Sequence, residues 1–112
     1  MAMHEFGIMK ELPQAGCRYD EYIPEKYDCI SIDDDIVEVF AKGLLDVDMC
    51  WHTIDITEKG LAYFGITLIP PASLGSVIDV IDVIDGFDEL LELRELLKQA
   101  QQQNLYVIHF GI

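Results

Sequence analysis

Apolar and polar residues alternate through Tyr27-Asp28-Cys29-Ile30-Ser31-Ile32, the two-residue period of a β-strand. An acidic run, Asp33-Asp34-Asp35, follows, and then Ile36-Val37-Glu38-Val39-Phe40-Ala41-Lys42. Asp35 and Glu38 have the spacing of a capping box and Gly43 offers a stop, so residues 35–45 are expected to form a short helix. The IVEVF core of that segment also suits a strand. Met49–Ile56 (MCWHTIDI) and Leu61–Ile69 (LAYFGITLI) are expected to be antiparallel neighbours joined by Thr57-Glu58-Lys59-Gly60, with Pro70-Pro71 ending the second. Phe87–Gln102 has the clearest helical pattern. Leu90, Leu91, Leu93, Leu97 and Ala100 are expected to give it an apolar face, acids come early, Lys98 comes late, and Asn104 can terminate it. Leu105–Phe110 (LYVIHF) is expected to be the last strand.

Val77 to Asp85 reads VIDVIDVID, a period of three that fits neither regular structure. In a strand its acids would fall on alternating faces and some would be buried. In a helix each step of three moves the side chain by about −60°, so the three acids span roughly 120° and the remaining arc is Val and Ile. The segment is expected to be a helix with one solvated stripe, broken at Gly86.

The order is β-α-β-β-α-β with the second α split in two. This predicts an α+β, ferredoxin-like domain: a four-stranded antiparallel sheet, strand order 4-1-3-2, with helices on one face. Residues 1–24, interrupted by Pro13, Gly16 and Pro24, are expected to be an N-terminal arm packed on a single domain spanning 25–112.

Alternation also assigns faces. Ile30, Ile32, Phe64, Ile66, Leu68, Tyr106, Ile108 and Phe110 are expected under the helices. Cys29, Ser31, Trp51, Tyr63, Thr67 and His109 then line the opposite face as the candidate ligand or interface surface. A one-residue register error would invert any strand's assignment. Cys29 and His109 could approach as a thiol–imidazole pair. His52 and His109 are expected on opposite edge strands, too far apart for a shared metal.

The formal charge of −14 argues against nucleic acid and anionic membrane surfaces, which select Lys and Arg clusters. It fits a basic protein partner. No apolar run approaches the ~20 residues of a membrane span, and no leader-like segment opens the chain. Three widely spaced cysteines (Cys17, Cys29, Cys50) suit reduced thiols in the cytoplasm. No nucleotide, protease, esterase or kinase motif occurs, so no catalytic residue, metal site or cofactor is assigned, and whether the chain is an enzyme stays open.

Met3-His4-Glu5 resembles the opening of the hydrogenase nickel chaperones, which bind nickel there. Those proteins also carry paired CxxC zinc ligands, which this chain lacks, so the resemblance stops at three residues. With Met1 removed, Ala2-Met3-His4 would place a free amine two residues before a histidine, a chelator of copper(II) or nickel(II). The expected function is binding: a small acidic cytoplasmic protein that recognises another protein as an inhibitor or immunity-type module, with a homodimer also expected. The alternative is a small-molecule-binding or small enzymatic domain with its pocket between the arm and the open sheet face.

Overall fold

In a computed structural model, which describes residues 2–84 and 86–112, the chain builds one six-stranded antiparallel sheet and three α-helices. The elements are β1 (Met3–Ile8), β2 (Ile30–Asp33), α1 (Asp34–Ala41), β3 (Asp48–Trp51), β4 (Thr57–Lys59), β5 (Ile66–Ile69), α2 (Pro71–Asp82), α3 (Asp88–Gln103) and β6 (Val107–Phe110). Single 3-10 turns occur at Pro24–Tyr27 and Lys42–Leu44. Strand order is β2-β1-β6-β5-β3-β4.

The α+β class holds, but the four-stranded ferredoxin-like sheet does not. Two further strands account for the difference. The first lies within the expected arm: MHEFGI forms β1 in the sheet interior, paired with β2 on one side and β6 on the other. It separates the 27–32 strand from the last strand and moves the last strand off the sheet edge. Its inward positions are His4 and Phe6, so an imidazole stands where the alternation calls for an apolar side chain, and the period is hard to see. The second is β4, an edge strand at the expected turn. The chain leaves β3 at His52, whose φ of 62° is left-handed. It turns through Thr53–Asp55 and returns along β3 at Thr57.

Helix α1 begins at Asp34, and its cap is Asp33, whose carboxylate accepts the Asp35 N–H at 2.9 Å. The cap therefore sits two residues before the expected one. Helix α3 ends at Asn104, in the left-handed conformation with φ 57°. Of VIDVIDVID, Val77 to Asp82 lie in α2. Val77, Ile78 and Ile81 are buried, Asp79 and Asp82 are exposed, and Asp85 lies outside the described residues. Val83 follows the helix and is exposed.

Both faces of the sheet are covered. On one, Phe6, Ile32, Met49, Ile69 and Val107 pack under the helices with Phe40, Leu74, Leu93 and Leu97. On the other, Met9, Ile66, Leu68, Ile108 and Phe110 pack against Tyr19, Ile23 and Tyr27 of the segment between β1 and β2. The expected faces of β5 and β6 are thus inverted. These strands are buried at every position, so alternation carries little information about which side faces the helices. Phe64, expected in the core, is 80% exposed, because β5 starts only at Ile66 and Leu61–Gly65 form a loop. Gly7 lets the covering segment approach: a Cβ there would lie 2.7 Å from both the Cys29 Sγ and the Tyr27 Cβ.

Candidate functional site

Three neighbouring strands bring polar side chains together beneath the helices. His109 on β6 stands opposite Phe6 of β1 and Thr67 of β5. His4 lies two residues along β1 from Phe6, on the same face. His4 Nδ1 is 2.8 Å from His109 Nε2, and His109 Nδ1 is 3.2 Å from the Thr67 hydroxyl. The other end of His4 reaches α1, with Nε2 2.9 Å from Asp34 Oδ1. Tyr63, from the loop before β5, donates its hydroxyl to the same carboxylate oxygen. The Tyr63 ring meets the His4 ring edge-on at 4.7 Å between centroids. Residues Gly111 and Ile112 hold that loop by donating to the Gly65 and Tyr63 carbonyls.

One orientation of protons satisfies every member. His109 is fully buried, and desolvation pushes its pKa down to about 3, so it is neutral. The Ala62 N–H donates to Thr67 Oγ1 at 2.8 Å, which leaves the Thr67 proton for His109 Nδ1. His109 Nε2–H then donates to His4 Nδ1, and His4 Nε2–H donates to Asp34. The donors all run toward the carboxylate. Hydrogen bonds from Tyr63 and then His4 hold the Asp34 carboxyl below its usual range. Burial, then the Asp34 contact, pushes the Tyr63 hydroxyl up to about 12, so it remains a donor.

Both imidazoles are completely buried, and neither lines any of the four cavities described. The network fixes Tyr63 at the surface and joins α1 to the sheet. It also blocks the expected amine–histidine chelate, since His4 Nδ1 is occupied by His109. Asp34, Asp35 and Glu38 bring carboxylate oxygens within 4.8 Å of one another. The Asp34 carboxylate already accepts from His4 and Tyr63, and the other two groups are exposed.

Of the six residues expected on one face, the structure brings Tyr63, Thr67 and His109 together. Cys29 lies on the far side of the sheet with the covering segment, so it cannot pair with His109. Burial, then Glu5 nearby, pushes its thiol up to about 12. Ser31 is exposed on edge strand β2. Trp51 is on the helix side and donates its indole N–H to the Gly60 carbonyl at 2.9 Å. His52 follows β3, which only β5 separates from the β6 strand of His109, so the two are not on opposite sheet edges, and its Nδ1 lies 2.8 Å from Asp20 of the covering segment. Sequence reasoning missed His4 and Asp34 as members. Their signals were present: His4 shares the inward phase of Phe6, and Asp34 opens the helix that follows β2.

Tyr63 also forms a wall of an open groove. This cavity, about 370 Å³, runs between the end of α1 and the loop leading into β5. Ala41, Leu45, Trp51, Leu61 and Tyr63 make it mostly apolar, and Glu38, Lys42 and Lys59 stand at its rim. Lys59 is already paired with Asp48 at 2.6 Å. Leu45 is 68% exposed, and Phe64, beside Tyr63, projects into solvent. No protein-family model, curated protein or solved structure matches the chain.

Proposed function

We propose that the protein is a cytoplasmic binding module that recognises a basic protein partner through this groove. The observation that carries the reading is an open apolar trough, walled by Trp51, Leu61 and Tyr63, in a chain of net charge −14. Apolar anchors in a desolvated trough supply affinity, and the surrounding charge supplies steering and selectivity. Asp34, Asp35 and Glu38 put acids along the α1 side, so a segment presenting a large apolar residue between Lys or Arg residues fits the site. The buried network behind Tyr63 keeps that wall in place before binding, which limits the ordering cost of association. No helix among the described residues is long and apolar enough to cross a membrane. The three free cysteines agree with a reducing compartment.

A second copy of the chain is a poorer occupant, because two chains that each carry a net charge of −14 repel one another. Trp51 is the one tryptophan in the sequence and lines the groove, so its emission reports occupancy directly. Titration with a Leu/Lys amphipathic peptide should shift that emission, with affinity falling as salt is added, whereas a Leu/Glu peptide should not bind. Leu45→Asp should weaken the response at least tenfold. Equal responses to the two peptides, or no effect of Leu45→Asp, would sink the reading. A dimer in light scattering that Leu45→Asp dissociates would replace the heterologous partner with a homodimer.

A further inference from the structure

A second cavity, remote from the helix side, lies where the segment between β1 and β2 crosses the sheet. It measures about 460 Å³, within the size range of small-molecule pockets. Ile8, Met9 and Leu12 give it an apolar floor, and the rings of Tyr19 and Tyr27 give it aromatic walls. Lys10 and Lys26 also line it, with Glu11 as the opposing charge. A smaller cavity of about 260 Å³ shares Tyr19, Lys26 and Tyr27 and adds Arg18.

The distribution of charge singles this place out. Residues 10–27 hold three of the seven basic side chains and four acids, whereas the rest of the chain holds four basic side chains and seventeen acids. The basic groups are also not equally engaged. Arg18 is bonded to Asp20 at 2.9 Å. Lys10 reaches Asp28 only at 3.8 Å, with both side chains largely exposed. Lys26 lies 5.5 Å over the Tyr27 ring and makes none of the ion pairs found among the described residues. Two ammonium groups thus stand beside an aromatic trough in a protein that elsewhere repels anions.

We infer that this cavity is a binding site for a small planar aromatic anion, its ring held between Tyr19 and Tyr27 and its acid group met by Lys10 and Lys26. The aromatic walls and Met9 suit a flat apolar body, and the lysines select the sign of charge. The site is independent of the groove beside α1.

Cys17 makes the inference testable, because it lines the same cavity and is the exposed thiol. Cys50 is buried, and Cys29 is half-buried with its thiol pushed up to about 12. The probe is 8-anilinonaphthalene-1-sulfonate, an aromatic sulfonate with a flat naphthalene ring system that fluoresces in apolar surroundings. It should bind with saturable fluorescence and slow maleimide labelling of Cys17 severalfold, while a neutral or cationic naphthalene of the same size should do neither. Lys10→Glu/Lys26→Glu should reduce affinity at least tenfold while the far-ultraviolet circular dichroism of the folded chain is kept, since both side chains are at the surface. Lys42→Glu/Lys59→Glu, at the groove, should leave probe binding intact. Equal binding of the neutral probe, undiminished binding to Lys10→Glu/Lys26→Glu, or unprotected Cys17 would overturn the inference.

Discussion

Thr67 carries more of the polar core than its size suggests. Its hydroxyl accepts the Ala62 N–H and donates to His109, so Thr67→Val keeps the volume and strands two buried groups. At ~1–3 kcal/mol for each unsatisfied group, the variant should lose about 2–4 kcal/mol in urea denaturation. A loss below about 1 kcal/mol would mean that the donor order is different. His109 predicts a pH dependence as well. Its folded pKa, pushed down to about 3 by burial, lies below the ~6.5 of an unfolded histidine. The unfolded chain therefore binds the proton first. The contribution of the neutral ring is complete above pH ~6.5 and is lost as pH falls toward the folded value. Between pH 7 and pH 5, above the range where most carboxylates titrate, the linkage amounts to on the order of 2 kcal/mol. The groups facing His109 are His4 and Thr67, with the Phe6 ring tilted against it at 4.8 Å between centroids. Denaturation of wild type and His109→Gln across that interval should show the wild type falling and the variant changing less. Parallel curves would rule out His109 as the titrating group.

At the scale of elements, α2 gives the sharpest contrast between neighbouring side chains. Asp82 is exposed and bonded to Arg94 of α3 at 2.5 Å, a surface pair that solvent and salt screen. Asp82→Asn should therefore cost little. Ile81 is 3% exposed in the core between the helices and the sheet, so Ile81→Asp should cost several kcal/mol through an unpaired buried charge. Similar melting temperatures for the two would contradict the helical placement. This contrast was legible in the sequence because period and charge pointed the same way in VIDVIDVID. So were α3, its Asn104 cap, and the pairing of β3 with β5. What was not legible has physical causes. β1 was hidden because its inward set contains a histidine whose partners, His109 and Asp34, lie 105 and 30 residues away. The faces of β5 and β6 were undetermined because a sheet buried on both sides makes every position apolar or paired. The loop at Leu61–Gly65 reads as strand in pattern, yet Thr67 captures the Ala62 N–H and turns the chain there. The network was thus the common origin of the missed strand and the misread loop.

Over the whole molecule, twenty-one acids face seven Lys and Arg residues, and the consequences of that imbalance have opposite signs for stability and for binding. The ion pairs of Lys10, Arg18, Lys59 and Arg94 are partly or largely exposed, so their screening costs little. The excess acids repel one another, and Asp33, Asp34 and Asp35 are consecutive where β2 passes into α1. At ~0.1 M salt the screening length is about 10 Å, shorter than most separations between acids across a domain of this size. Relief of repulsion should outweigh loss of attraction, and the melting temperature should rise between 10 and 200 mM sodium chloride. Each ~1 kcal/mol regained corresponds to roughly 4 °C. The same salt should weaken the basic peptide at the groove, because there the charges attract. A scan of melting temperature beside a Trp51 titration, over one salt series, should therefore give slopes of opposite sign. If stability also falls with salt, the exposed ion pairs dominate, and the acidic surface is then balanced locally rather than held in excess for a partner.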